Sequence, residues 1–411
     1  MKGYLVSSGT ELLLGQTVNT NATYLGQQLA GLGIDLHTVI TIGDNLERLA
    51  EAIRQGGEAA DLVIVSGGLG PTEDDISREA LALALNITLQ YHPTAKEVTE
   101  RFFTRRGLDI PKVNERQFLA PSGAVILDNP FGTAPGVYYE RHGKIYILLP
   151  GPPRELIPMF ENELLPLLHN KSAGTVIFSR VLKVAGIGEP AAEAKIKDLI
   201  HSANPTVAPA AKRGEIHFRI TAKAEGIEAA KNLIAPLEKA IRERLGSYVF
   251  GQDQDSLEGV VAGLLREKGL TIGVAESCTG GLVAHRLTNI PGSSDYFQLG
   301  IVAYHNLWKE SLLNVSGEVL RAKGAVSPEV AIAMAKGIRA KANTSIGLSV
   351  TGIAGPGGAT AEKPVGLVYS GIDFGDRQLV FKEQLVGSRQ DIKWRSSQWA
   401  LMQLYQELKK N

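Results

Sequence analysis

The chain has 411 residues, 44% of them hydrophobic, with 43 Lys plus Arg balanced by 43 Asp plus Glu. That length exceeds a single core and calls for two or three globular domains, and the zero net charge excludes a global field for nucleic acid or an anionic membrane. Cys278 is the only cysteine, which excludes an intrachain disulfide framework and a cysteine zinc cluster and fits a reducing, cytoplasmic setting.

The opening run Tyr4-Leu5-Val6 is of strand length, too short for a signal segment or a membrane span. With Leu36 to Ile40 and Leu62 to Val65 it alternates with two helical stripes, Tyr24-Leu25-Gln28-Leu29-Leu32 and Leu46-Leu49-Ala50-Ile53. This β-α-β-α-β order predicts a parallel sheet with helices on its faces over residues 1–170, closed by a strand Ile145 to Leu149. Three loops leave strand ends there. Gly9-Thr10-Glu11 follows the first strand, Ser66-Gly67-Gly68-Leu69-Gly70-Pro71-Thr72-Glu73-Asp74-Asp75 follows the third, and Pro150-Gly151-Pro152-Pro153-Arg154-Glu155 follows the last. Glycines let backbone approach a phosphate, and acids can hold a hard cation. Acids at a helix start also suit the helix dipole alone. The turn Thr133 to Gly136 is placed in the same cleft.

Asn170 to Gly174 reads as a linker. The pattern then gives a strand Val176 to Val184, a helix Pro190 to Ile200, strands Thr206 to Ala210 and Glu215 to Ala222, and a helix Ile227 to Leu245. That makes a small α+β module over 171–252. Its loop Gly186-Ile187-Gly188-Glu189 has the outline of the Gly-rich clamp of a KH-type RNA binder. A phosphate clamp wants a basic loop, so Glu189 argues for a structural or spacer role and against nucleic acid.

After a second linker, Gly251 to Asp255, a third α/β domain spans 253–411, with strands at Leu270 to Val274, Leu299 to Ala303, Thr344 to Val350, Gly366 to Ile372 and Leu379 to Val386. The turn Ala275-Glu276-Ser277-Cys278-Thr279-Gly280-Gly281 joins its first strand to a helix. Such a turn offers an exposed side-chain nucleophile and bare backbone N–H groups for an oxyanion. Equally, Ser277 or Thr279 could simply cap the helix. A serine nucleophile needs a base, and the candidates are His285, His305, Lys309 and Lys336. Lysine qualifies only if burial or a nearby cation lowers its pKa; otherwise Lys309 is a solvated helix residue. A second glycine-rich turn, Thr351 to Gly358, follows another strand, and Gly387-Ser388-Arg389 opens the last helix with a cation.

Five ordered motifs, Ala275 to Gly281, Pro291-Gly292-Ser293-Ser294, Gly324-Ala325-Val326-Ser327, Thr351 to Pro356 and Lys363-Pro364-Val365-Gly366, resemble the nicotinamide-nucleotide amidase domain of the CinA family. The resemblance runs the whole chain, with a molybdopterin-binding-like α/β domain first and a KH-like module between. It implies deamidation of nicotinamide mononucleotide by a Ser/Lys mechanism that needs no cofactor: Ser277 as nucleophile, Lys309 as base, Tyr304 as hydrogen-bonding assistant. Cys278, Thr279, Gly280 and Gly281 would then bind substrate beside Thr351, Gly352 and Arg389, with backbone donors near Thr279 to Gly281 on the oxyanion. For the first domain it implies hydrolysis of ADP-ribose with a divalent metal (Mg, Mn or Co) among Glu11, Asp74, Asp75 and Glu155. Gly67, Gly68, Gly70, Thr72 and Arg154 would face the nucleotide. Two other classes fit the same segments, a nucleotide-binding adaptor in competence or DNA-damage response and a molybdopterin-binding protein. A homodimer is expected.

Overall fold

A computed structural model describes residues 1–169, 171 and 174–410. Of the linker expected at 170–174, residues Asn170, Ser172 and Ala173 lie outside the described set. The chain forms two compact units, Met1–Phe178 with Ala222–Asn232, and Ser179–Thr221 with Leu233–Asn411.

In the first unit β1 (Lys2–Ser8), β2 (Asp35–Ile42) and β3 (Leu62–Ser66) pair in parallel. All five residues of β3 are buried, as expected of a β-branched run covered on both faces. The helix Leu46–Ala59 buries Leu49, Ala50 and Ile53 against the sheet, and Asn45 caps it by accepting the Arg48 N–H at 3.0 Å. The short strands β4 (Leu89–Tyr91) and β5 (Leu119–Pro121) form a separate antiparallel pair. The main sheet is completed by β6 (Val125–Leu127), β7 (Gly136–Arg141) and β8 (Lys144–Leu149), in the order β2-β1-β3-β8-β7-β6. The expected all-parallel sheet is corrected at this edge, where β7 runs antiparallel to both β8 and β6. The Thr133 to Gly136 turn feeds β7, and the turn His142-Gly143 makes β7 and β8 a hairpin, which needs no crossover helix.

The second unit holds most of a four-stranded sheet and the whole of a five-stranded one. The first comprises β9 (Thr175–Val184), β10 (Thr206–Lys212), β11 (Glu215–Glu225) and β12 (Val249–Gln252), in the order β10-β11-β9-β12. The second comprises β13 (Ile272–Glu276), β14 (Phe297–Val302), β15 (Ile346–Gly352), β16 (Leu367–Asp373) and β17 (Gln378–Gln384), in the order β14-β13-β15-β16-β17. Strands β14, β13 and β15 are parallel, so the turns after β13 and β15 leave the same edge of the sheet. The C-terminal helix Arg389–Lys410 buries Ile392, Trp399, Leu401 and Leu404 in the core beneath them. Its middle also meets the Gly186 to Glu189 loop, where a Cβ on Gly186 would stand 3.3 Å from Met402 Cγ. Among the described residues no helix is long and apolar enough to cross a membrane.

Candidate active site

Strand β13 ends at Glu276, 1% exposed, whose carboxylate accepts the backbone N–H groups of Gly281 (3.1 Å), Val283 (3.1 Å) and Ala284 (2.8 Å). Glu276, not Ser277 or Thr279, caps the helix Leu282–Thr288. Gly280 and Gly281 take the left-handed φ values 64° and 94° that let the chain double back to this carboxylate. The cap also corrects the expected oxyanion donors. Gly281 N–H is spent on Glu276, and Gly280 N–H donates to the Ser277 carbonyl at 3.1 Å. The amides of Cys278 and Thr279 are the two left over in the turn, and both point toward the Cys278 thiol, a weak acceptor.

Lys309 lies on the helix Asn306–Leu313, 1% exposed. Its Nζ donates to Ser277 Oγ at 3.3 Å, to the Ala303 carbonyl at 2.7 Å and to the Tyr304 carbonyl at 3.1 Å. Burial pulls its pKa down from 10.5 to about 8. The rival bases stand elsewhere. His285 is exposed and pairs with Asn289, His305 caps its helix by accepting the Leu307 N–H through Nδ1, and Lys336 is exposed.

Cys278 is corrected as a substrate contact through its side chain. It is 4% exposed, packs in the apolar core, and burial pushes its thiol up to about 12, with the Glu276 charge adding to the effect. A neutral thiol there is a poor nucleophile. The Tyr304 hydroxyl accepts from Arg389 Nη2 at 2.7 Å rather than bonding Ser277. Arg389 Nη1 donates to the Gly355 carbonyl at 2.6 Å, so Arg389 ties the second glycine-rich turn to Tyr304, in the segment that follows β14. The Thr351 hydroxyl is committed to the Ala325 carbonyl at 2.8 Å, which corrects it as a hydroxyl donor to substrate. Gly352 sits where a Cβ would stand 3.1 Å from Cys278 Sγ, so the second turn closes onto the first. Thr279 is fully buried with its Oγ1 unpartnered. Sequence reasoning missed Lys393, whose Nζ lies 3.3 Å from where a Cβ on Gly280 would be. Its signal was the spacing from Arg389, one helical turn along the same helix.

In the first unit a cleft of about 550 Å³ is lined by Glu11, Gly67, Gly68, Gly70, Asp74, Asp75, Thr133, Ala134 and Glu155. Ser8 and Asp44 also line it and were missed; Ser8 Oγ is buried without a partner. Gly67 and Gly68 are dictated by packing, because a Cβ would run into the Ser8 carbonyl or stand 2.6 Å from Ser77 Oγ. Arg78 is buried beneath the loop and donates to the Leu69 (3.0 Å) and Pro135 (3.1 Å) carbonyls, and burial lowers its pKa to about 10. It was missed because it occupies an apolar position of its helix. Two expected ligand contacts are corrected. Thr72 turns onto its own loop, with N–H and hydroxyl both donating to the Asp75 carboxylate, and Arg154 projects into solvent with 80% of its side chain exposed.

The same contacts bear on a metal. Asp75 is held by Thr72, and Glu155 accepts from Asn129 Nδ2 at 3.0 Å. Among the described residues no three Asp, Glu, His or Cys side chains converge on one point. Magnesium commonly takes one or two carboxylates and fills its shell with substrate phosphates and water. Glu11 and Asp74 fit that need, since both are exposed to the cleft and the Thr72 hydroxyl holds the Asp74 carboxyl below the ordinary range.

Residues 4–170 match the family described as "probable molybdopterin binding domain", 179–251 the damage-inducible protein CinA KH domain, and 254–408 the CinA C-terminal domain. A chain from Moorella thermoacetica, named among competence-damage inducible proteins, is 56% identical over 410 residues, covering 100% of this chain and 99% of the relative. A CinA-like protein of Kosmotoga olearia is 48% identical, covering 98% and 97%. Among solved structures, a competence/damage inducible protein of Agrobacterium tumefaciens is 39% identical over 36% of this chain and 91% of that one, with a TM-score of 0.35.

Proposed function

The chain belongs to the CinA family, and from that premise we propose that its C-terminal domain deamidates nicotinamide mononucleotide to nicotinic acid mononucleotide and ammonia. One observation carries the reading: a buried lysine with its pKa near 8 lies 3.3 Å from a serine hydroxyl at a strand-end turn. The Ala303 and Tyr304 carbonyls offset part of the cost of burying this amine, and Ser277 is its one side-chain partner among the described residues.

Neutral Lys309 accepts the Ser277 proton, and Oγ attacks the carboxamide carbon. The oxyanion takes the Cys278 and Thr279 amides, the second of which follows the nucleophile by two residues. The Lys309 ammonium returns its proton to the departing ammonia. Water, deprotonated by the same amine, then cleaves the acyl-serine. Arg389 and Lys393 hold the ribose phosphate. The test is ammonia release by wild type, Ser277→Ala, Lys309→Ala and Cys278→Ala. The reading requires loss in the first two variants and retention in the third; a folded wild type that releases none sinks it.

For the first domain we propose that the cleft takes ADP-ribose and that its pyrophosphate is hydrolysed there. The cleft and its two exposed carboxylates support this, and a bound divalent ion would neutralise phosphate charge. Glu11 and Asp74 are the residues to hold that ion, and the Ser8 hydroxyl adds a donor. Binding of ADP-ribose against a pterin, by calorimetry, separates this reading from a molybdopterin-binding one.

A further inference from the structure

We infer that the middle module is a positioning clamp for the phosphate-binding edge of the amidase site, acting through the tip of its β10–β11 hairpin. The inference rests on the amidase reading for its substrate, and on contacts within the second unit for its geometry.

The tip is Arg213-Gly214, and it grips the first three turns of the C-terminal helix. The Trp394 indole N–H donates to the Arg213 carbonyl at 3.1 Å, while Arg213 Nη2 donates to the Gln390 carbonyl at 3.0 Å and to Asp391 Oδ1 at 3.2 Å. The Arg213 guanidinium also lies 5.4 Å from the Trp394 ring centre, within cation–π range. Two residues on, Glu215 Oε1 accepts from Gln398 Nε2 at 3.0 Å. Gly214 has φ 76°, and a Cβ there would stand 3.1 Å from Gln398 Cγ, so the tip lies flat on the helix.

Trp394 and Gln398 also meet the helix Leu282–Thr288, which follows the nucleophile turn. Arg286, 2% exposed on the helix that follows Gly281, donates to Gln398 Oε1 at 2.6 Å and to Ser397 Oγ at 3.0 Å, and lies 4.6 Å from the Trp394 ring centre. Glu258 accepts from Arg286 at 2.7 Å and balances its charge. Trp394 and Gln398 are therefore shared between the hairpin and the helix carrying the nucleophile turn. Arg389 and Lys393 precede Trp394 by five residues and by one, so any axial slip or rotation of this segment moves both cations against Ser277. An isolated exposed ion pair would fix little. Here one arginine and one glutamate engage four consecutive or helically spaced positions, and a rigid scaffold is what substrate positioning requires.

Arg213 and Glu215 touch none of the reacting groups and are positioning residues. In the full chain, Arg213→Ala and Arg213→Ala/Glu215→Ala are expected to raise KM for nicotinamide mononucleotide by about tenfold, in line with one displaced charged contact. Turnover stays within about twofold, since Ser277 and Lys309 are untouched. Nicotinamide riboside, which lacks the phosphate, keeps its inhibition constant. Hydrogen exchange of amides 389–395 speeds up. Unchanged KM in both variants, or equal weakening of mononucleotide and riboside, overturns the clamp. If wild type releases no ammonia, the amidase reading fails by itself and exchange decides the clamp: faster exchange at 389–395 upholds it, unchanged exchange overturns it.

Discussion

A lysine taken out of water gives up its proton more readily, because the ammonium loses hydration that the neutral amine hardly needs. At Lys309 that effect brings the pKa to about 8, and the proposed chemistry needs the neutral amine. Amidase kcat/KM is therefore expected to rise with pH and level off above about 8; a flat profile from pH 6 to 9 would refute Lys309 as base. The same shift leaves a mark on stability. With the folded pKa below the unfolded one, the unfolded chain binds the extra proton, so this group destabilises most below pH 8 and its cost recedes toward 10.5. Cys278 acts in the opposite sense, since its thiol, raised from 9.0 to about 12, costs stability as pH climbs past 9.0. Comparing wild type with Lys309→Met cancels the cysteine contribution. Between pH 8 and 9 wild type is expected to gain about 1 kcal/mol on the variant in urea denaturation. A gap that does not move with pH would show that burial leaves the amine unshifted. Cys278→Ala, in contrast, removes a small core side chain and is expected to keep most turnover while losing about 1 kcal/mol of stability.

The strand-turn-helix element around Ser277 works because one buried carboxylate organises it. Glu276 holds three backbone N–H groups that would otherwise lack acceptors at the start of the helix Leu282–Thr288. Glu276→Gln keeps the shape but loses the charge and presents an amide where donors already point. It is expected to cost about 1–3 kcal/mol in chemical denaturation and to lower kcat, because the donors at Cys278 and Thr279 are hung from this cap. Retained stability with retained turnover would show that the cap does not set the turn. Glu276 marks the limit of what the sequence makes legible. Its place in a Glu-Ser-Cys-Thr-Gly-Gly run identifies the turn, but which of Glu276, Ser277 and Thr279 caps the helix depends on where the chain doubles back. Buried strands such as Leu62 to Val65 are readable because continuous apolar runs have few other uses. The edge strand β6 and its neighbour β7 are not, since a three-residue strand and a hairpin partner leave no period to count. Pairings across distant segments, Lys393 beside Gly280 or Arg78 beneath Leu69, are set by helix placement and carry only faint local signs.

Two candidate sites stand in separate compact units, Asp74 in the first and Ser277 in the second, and their chemistry differs in what it asks of solution conditions. A pyrophosphate carries charge that a divalent ion must offset before a nucleophile approaches. A carboxamide carries none, and the proposed amidase chemistry draws its donors from the Ser277 turn and its base from Lys309 on the helix Asn306–Leu313. Chelator is therefore expected to abolish ADP-ribose hydrolysis while leaving ammonia release from nicotinamide mononucleotide intact, and Asp74→Asn to do the same without chelator. Ser277→Ala should give the reverse pattern. The informative result is the cross term. If Asp74→Asn also weakens ammonia release in a protein with unchanged thermal stability, the two units exchange information through their bound ligands, and the two chemistries cannot be assigned to independent sites. If each variant silences only its own reaction, the covalent linkage serves to keep two nucleotide hydrolases at equal abundance, each complete within its unit.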